Sequence, residues 1–521
     1  MQPLQPRISG TRDYVGDDAQ ALRVARNAIE TTFRKFAYAS IDPPILERSS
    51  PFLDRSGEDI RRRMYIFPDP AGRETCLRPE LTIPACRTYL RQLQAPDGEA
   101  HFSPEREARL SYVGPAFRYD ATSEGRYRQF IQAGAELIGA KQQEAADAEV
   151  LEVALDALSG AGLKDLLVEV GDLGILHAFI DGLPIADASK PRLRRLALRS
   201  RKESRLMAAV ESLEGNGAER GTRLGELTSL LANMTSAKAQ SLISEVLALA
   251  DVRHIGGRTS EEIVERLIAR ASQESAESIS RELLQSIWTL LGIRANPDMA
   301  FEAVRDHFKV FGIKSIDAVL DRCSRRLQLF GAYRSNQPTL KFNVGLRRGL
   351  EYYTGFVFEV YAQRAEQLGH VCGGGRYDNL LEALGASVPI PAVGFAIGLD
   401  RLLVAMRKSE VERQTDSYGP DALVVAAGTV PHEECIRVST NLRRAGWSVE
   451  TETSGRRARS ALSYAVKRKI PYLVFVGEDE IKSGQVRIKR LLDRNDQLVK
   501  IADFDAYVKA EGTDSLTEAA P

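Results

Sequence analysis

Phe117 to Gly139 reads FRYDATSEGRYRQFIQAGAELIG, which two strands joined by a tight polar loop account for. The entering strand runs from about Ser111 to Asp120 and carries Tyr112, Val113 and Phe117. Ala121 to Gly125 is small and polar and ends in glycine, as turns do. The returning stretch alternates. Tyr127, Gln129, Ile131, Ala133, Ala135 and Leu137 fall on one face, and Arg126, Arg128, Phe130, Gln132, Gly134 and Glu136 on the other. Arg126, Gln132 and Glu136 therefore share a face, and Arg118 arrives from the partner strand. The hairpin is either solvated on that face or a polar floor for an anion and a small polar molecule; this stretch alone leaves both open.

A chain of 521 residues exceeds one domain, and its 43% hydrophobic and 27% charged content is that of a soluble globular protein. Lys plus Arg equals Asp plus Glu at 71 each, so a nucleic-acid partner would have to be held by local patches. The N-terminus MQPLQPRISGTRDY lacks a signal-peptide core, and no stretch is apolar and long enough to span a membrane. Cys76, Cys86, Cys323, Cys372 and Cys435 are scattered without metal-site spacing, which points to a reducing cytoplasm without structural zinc.

In chain order, Asp17 to Ala39 has helical periodicity, and Pro43 and Pro44 force an extended segment after it. In Thr75 to Pro84, TCLRPELTIP, an extended chain would put Arg78, Glu80 and Thr82 on one side; on this stretch alone a surface loop before a helix at Ala85 to Leu93 is the favoured reading. Gln142 to Ser159 reads as a helix and Leu166 to Val170 as a buried strand. From Ala186 to Ala332 the composition turns to Ala, Leu, Glu, Arg and Ser, an inserted helical module. It opens on a basic run, Arg192, Arg194, Arg195, Arg199, Arg201, Lys202 and Arg205, which is a solvated face or a phosphate contact. Lys341 to Tyr361, KFNVGLRRGLEYYTGFVFEVY, puts Arg348 at a bend beside Tyr352 and Tyr353. Cys372 to Asp378, CGGGRYD, lets backbone approach closely beside Tyr377, and Val393 to Leu403 places Arg401 in the first turn of a helix, where anions are favoured. Beyond a polar linker at Ser409 to Gly419, strand–helix alternation predicts a small α/β domain with parallel pairing and a disordered tail after Gly512.

These patches resemble the histidyl-tRNA synthetases, a family of class II aminoacyl-tRNA synthetases, and within it a divergent bacterial branch. Pro44, FRYDATSEGRYRQF and GFAIGLDRLL match the three class-defining motifs; RRGLEYYTGFVFE and GGGRYDNLLEALG resemble the histidine-specific ones, and LRPELT the family's LRPEGT. The resemblance implies an α+β fold: a class II antiparallel sheet flanked by helices, with a helical insertion and a C-terminal α/β anticodon-binding domain. It places the catalytic domain at 1–185 and 333–408, the insertion at 186–332 and the anticodon-binding domain at 420–510. It implies that L-histidine and ATP, with Mg²⁺, give histidyl-adenylate, which is transferred to the histidine tRNA by a cytoplasmic homodimer. Glu80, Thr82, Gln132, Glu136, Tyr352, Tyr353 and Tyr377 would bind histidine. Arg118, Asp120, Arg126 and Arg401 would bind ATP, with Arg118, Arg348 and Arg401 catalytic. The tRNA would meet Arg456, Arg457, Arg459 and Lys467. The rival is the family's regulatory paralogue, the partner of ATP phosphoribosyltransferase, which lacks aminoacylation.

The chain departs from the family pattern in places. Asp120 and Asp400 stand where glutamate is usual, Leu81 replaces glycine, and Glu351 replaces aspartate. The loop Ala121-Thr-Ser-Glu124 has no basic residue, where many bacterial relatives carry Arg and Lys to read an extra 5′ guanosine of the tRNA. That departure implies an acceptor end read differently.

Overall fold

A computed structural model describes residues 7–55, 62–93, 107–199, 241, 254–255, 258–259, 280–314, 316–334, 338–346, 352–409, 419–493 and 495–517. The chain divides into two units, Met1–Arg413 and Gln414–Pro521. The first carries β1 (Ala39–Ser40), β2 (Leu46–Arg48), β3 (Tyr65–Pro68), β4 (Glu74–Leu77), β5 (Ala108–Phe117), β6 (Gln129–Ile138) and β7 (Leu166–Asp172). It continues with β8 (His254–Ile255), β9 (Arg258–Thr259), β10 (Arg294–Ala295), β11 (Thr339–Asn343), β12 (Phe356–Ala362), β13 (Cys372–Arg376) and β14 (Ala392–Gly398).

A nine-stranded sheet runs β1-β5-β6-β14-β13-β12-β7-β11-β10, antiparallel except where β1 meets β5 and β7 meets β11. The hairpin expected from the alternation is β5–β6, closed by a turn in which Ser123 bridges Arg126 and Gly125 adopts φ 71°. Register explains the small residues. Gly394 of β14 lies opposite Glu136, and a Cβ there would fall 1.6 Å from Glu136 Oε2. Gly134 lies opposite Tyr112, and a Cβ there would fall 2.5 Å from the phenol oxygen. The glycines make room for two long polar side chains within the sheet.

Helix Asp17–Lys35 has Asp17 and Asp18 in its first turn and Arg34 and Lys35 in its last, both favoured by its dipole. It buries Ala25, Ile29 and Phe33 in the core shared with helix Gln143–Gly160, whose Val150, Val153, Leu155 and Leu158 are all inward. Arg78, Glu80 and Thr82 do not share an extended strand. β4 ends at Leu77, and a helix begins at Thr82 rather than Ala85. The Glu80 carboxylate accepts the N–H groups of Thr82 at 2.7 Å and Ile83 at 2.9 Å, and Pro84 fits the first turn.

Much of the expected helical module lies outside the described residues, as do Arg201, Lys202 and Arg205 of the basic run. Of the rest of that run, Arg194 pairs with Asp181 and Arg195 is exposed. Helices Arg281–Leu291, Pro297–Val310 and Asp317–Tyr333 bury Leu284, Ile287, Phe308, Leu320 and Phe330 in the same core as helix Gln143–Gly160. The part of 186–332 from Arg281 onward is thus continuous with the packing of the sheet, which β10 also joins.

Most of the expected linker, 410–418, falls outside the described residues. The second unit contains β15 (Ala422–Ala427), β16 (Val449–Thr451), β17 (Tyr472–Gly477), β18 (Gln485–Arg490) and β19 (Asp496–Lys500), ordered β16-β15-β17-β18-β19. β15 pairs in parallel with β16 and β17, as the alternation predicts. β18 and β19 pair antiparallel instead, because the connections into them are too short for a parallel crossover. The tail does not lose structure at Gly512: helix Phe504–Thr517, seated on buried Phe504 and Val508, runs through it.

Candidate active site

One cavity of 390 Å³ gathers residues that are far apart in sequence. Glu80, Thr82, Arg118, Asp120, Arg126, Gln132, Tyr352, Tyr353, Tyr377 and Arg401 all line it. Arg348 and Glu351 lie outside the described residues.

Glu136 lies beneath the cavity, wholly buried. Its carboxylate accepts the phenol O–H of Tyr112 at 2.8 Å and that of Tyr377. Burial pushes this carboxyl up to about 8, against the pull of both phenols and Thr82. Tyr112 is a site residue that the alternation could not single out, since period two marks a face and not a partner. Tyr352 packs its ring 4.9 Å from Tyr353 and 5.7 Å from Tyr377, walling the same end. Gln132 lines the cavity and is buried, and its Oε1 has no hydrogen-bond partner among the described residues. Burial raises the Glu80 carboxyl despite the two N–H groups it accepts, and those bonds leave further lone pairs unused.

The cationic end is built from the connection between β5 and β6 and from helix Leu399–Lys408. Arg118 donates Nε to the Pro79 carbonyl at 2.7 Å and lies 5.4 Å from the Phe130 ring centre. Its terminal nitrogens donate to no described residue. Burial lowers its pKa, with Glu80 and Asp120 opposing. Arg126 binds one Asp120 oxygen through Nε at 3.0 Å and Nη2 at 2.9 Å, while Arg63 takes the other at 2.9 Å. Burial resists ionisation of Asp120, but the two arginines outweigh it and hold the carboxyl below its usual range. Arg63, on no recognisable motif, was missed. Arg401 sits in the first turn of helix Leu399–Lys408 and donates to the His370 carbonyl. A Cβ on Gly125 would come within 3.2 Å of the Arg401 Cα, so the hairpin turn rests on that helix start.

Three carboxylates border this end. Asp120 is ion-paired as described. Asp400 accepts the Tyr14 phenol and the Ile131 N–H, the latter at 3.0 Å, and so ties helix Leu399–Lys408 to β6. Glu359 accepts the Tyr361 phenol at 2.6 Å and lies 3.1 Å from His370 Nδ1. No cluster of three or more His, Cys, Asp or Glu with metal-binding geometry occurs among the described residues. The loop acid Glu124 pairs with Lys408 at 2.6 Å.

In the second unit, Arg457, Arg459 and Lys467 are exposed at helix Ala458–Arg468. Arg456 is engaged locally, paired with Glu452 at 2.6 Å and stacked 3.9 Å over Tyr464.

A family model described as histidyl-tRNA synthetase matches residues 10–255 and 241–402, and one described as anticodon binding domain matches 421–511. The histidine–tRNA ligase of Methanocaldococcus jannaschii is 29% identical over 96% of this chain and 98% of its own length. That of Pyrococcus furiosus is 27% identical over 96% and 98%. These relatives are archaeal, whereas the motif reading pointed to a bacterial branch. The crystal structure of histidyl-tRNA synthetase from Nostoc sp. PCC 7120 shares the fold with a TM-score of 0.66 at 18% identity, over 98% of this chain and 100% of that one. A Bacillus halodurans structure titled ATP phosphoribosyltransferase regulatory subunit/histidyl-tRNA synthetase gives 0.61 at 20% identity, over 91% and 99%. The sheet, the motifs in their places around one cavity, and the family model spanning 10–402 agree: the chain belongs to the histidyl-tRNA synthetase family.

Proposed function

We propose that the chain is a histidine–tRNA ligase, which activates L-histidine with ATP to histidyl-adenylate and transfers the histidyl group to the 3′ end of the histidine tRNA. The observation that carries this reading is the convergence of Arg118, Arg126 and Arg401 on one cavity beside a carboxyl, Glu136, clamped by two tyrosines. The histidine carboxylate attacks the α-phosphorus of ATP and pyrophosphate leaves, so no side-chain nucleophile is needed. Charge grows on phosphate oxygens, where preplaced guanidinium groups act best. Arg118 takes the α-phosphate, and Arg348 is assigned to it by the family motif alone. Arg126 and Arg401 take the β- and γ-phosphates, Arg126 exchanging its Asp120 contacts for them. Glu80 and Thr82 receive the ammonium, Gln132 the carboxylate, and Glu136 with Tyr352, Tyr353 and Tyr377 reads the imidazole.

Mg²⁺ enters with ATP as part of the substrate and neutralises phosphate charge. Of the three bordering carboxylates Glu359 fits it best: among the described residues it meets the Tyr361 phenol and His370, whereas Asp120 is ion-paired to two arginines and Asp400 is locked by the Ile131 N–H. Arg457, Arg459 and Lys467 suit phosphate-backbone contacts with tRNA, with Arg456 setting the start of their helix. A homodimer and a cytoplasmic location belong to the same reading; no helix among the described residues is long and apolar enough to cross a membrane. The regulatory alternative is disfavoured by the retained arginines and by the match to an anticodon-binding domain.

Charging of histidine-tRNA transcripts tests the reading. Histidine should be esterified to transcripts with and without the extra 5′ guanosine at comparable rates, since the Ala121–Glu124 loop offers no base to it. No charging of either transcript would overturn the enzyme; a large loss without the guanosine would overturn the reading of the loop.

A further inference from the structure

Behind the cavity runs a chain of buried charges that binding and chemistry do not use. Asp147, wholly buried in helix Gln143–Gly160, accepts Arg326 Nε at 2.7 Å on one oxygen. Its other oxygen accepts Arg376 Nη2 at 2.6 Å and Nε at 2.9 Å. Arg326 continues to Asp172 at 3.1 Å, whose second oxygen caps helix Leu173–Gly182 through the Gly174 N–H at 2.8 Å. Arg376 continues to Asp378 at 2.9 Å. Replacing such buried ion pairs with apolar residues is often neutral or stabilising, so stability alone does not account for the network. What it fixes is geometry.

Arg376 ends β13 and is followed by Tyr377, the donor to Glu136. The Arg376 carbonyl accepts the N–H of Thr354 at 2.8 Å, and the Asp378 N–H donates to Thr354 Oγ1 at 3.2 Å. The two segments that carry Tyr353 and Tyr377 are therefore stitched together at the residue that Asp147 grips. At its other end the network is anchored on helix Asp317–Tyr333. The phosphate-side arginines are held elsewhere: Arg118 by the Pro79 carbonyl, Arg126 by Asp120 and Arg401 by the His370 carbonyl.

We propose that Asp147, Arg326 and Arg376 are positioning residues for histidine selection, fixing Tyr377 and Tyr353 against Glu136 and tying that wall of the cavity to helix Asp317–Tyr333. The inference rests on the histidine–tRNA ligase reading. It separates the two substrates, because the network adjoins the imidazole wall and not the guanidinium cluster.

The test is ATP–pyrophosphate exchange by the full chain and its Asp147→Asn and Arg326→Gln variants, with folding checked by circular dichroism and melting. Loosening the wall should raise KM for histidine about tenfold or more with KM for ATP changed less than about twofold. Discrimination between histidine and its triazole ring analogue should fall, and Arg326→Lys should recover part of it. A purely structural role would lower kcat or the active fraction and leave KM and discrimination alone; that result, or equal shifts in both KM values, overturns the proposal. If Asp147→Asn fails to fold, Arg326→Gln, which leaves the Asp147–Arg376 pair intact, decides by the same criteria. A folded parent chain without histidine-dependent exchange overturns the ligase reading and this inference together, whereas normal exchange with unchanged histidine KM in the variants overturns this inference alone.

Discussion

Arg118→Ala is expected to slow histidine-dependent ATP–pyrophosphate exchange by about two to three orders of magnitude, equivalent to ~3–4 kcal/mol in the barrier. The size follows from how the side chain is held. Nε is fixed on the Pro79 carbonyl at 2.7 Å, and the aromatic face of Phe130 lies 5.4 Å away, so the fork is set before substrate arrives. Its charge is partly desolvated, which strengthens its action on a developing phosphate charge. The loss should fall mainly on kcat, because the interaction grows as charge accumulates in the transition state. Arg118→Lys should restore little: an ammonium cannot hold the Pro79 carbonyl and present a planar pair of donors at once. Steady-state exchange kinetics check this, and a loss confined to KM would reassign Arg118 to ground-state binding.

Glu136→Gln should lower histidine activation by about 10²-fold or more while making the protein relatively more stable as pH rises. Glutamine keeps the shape but cannot be the acid that the imidazole is matched to. The stability effect has a definite sign. The carboxyl titrates near 8 in the fold, against an ordinary value of 4.5. Its folded pKa is raised, so its contribution is fully present below the unfolded value and is lost as pH climbs through 4.5 toward 8. Glutamine does not ionise and escapes that loss. The difference between variant and parent should grow by on the order of a few kcal/mol from pH 5 to pH 8. Denaturant midpoints at the two pH values measure it; a difference between variant and parent that stays flat from pH 5 to pH 8 would show that Glu136 is already ionised in the fold.

Local pattern made part of this site readable. Period-two alternation in Arg126 to Leu137 identified the strand and placed Gln132 and Glu136 on one face, as the β5–β6 register has them. The glycine run at 373–375 was legible as close approach, but not what Gly134 and Gly394 make room for: Tyr112 at one and Glu136 at the other. Alternation failed at Arg78–Glu80–Thr82, where a side-chain cap started a helix that propensity had placed later. Arg78 turned out to be wholly buried and to donate to the carbonyls of Pro43, Pro44 and Pro115, a structural tie with no local signal. Arg63, Tyr14 and Asp147 were out of reach for the same reason. Each acts through a partner 57, 386 or 179 positions away, and a pairing at such a distance leaves no periodicity to read.

If Arg118, Arg126, Arg401 and the buried Glu136 form one site for histidine activation, that site must be selective for this amino acid. ATP–pyrophosphate exchange by the purified chain, run in parallel with each proteinogenic amino acid, measures that selectivity. Exchange is expected to depend on histidine and on no other amino acid. Exchange driven by a different amino acid, or none from a folded chain, would contradict it.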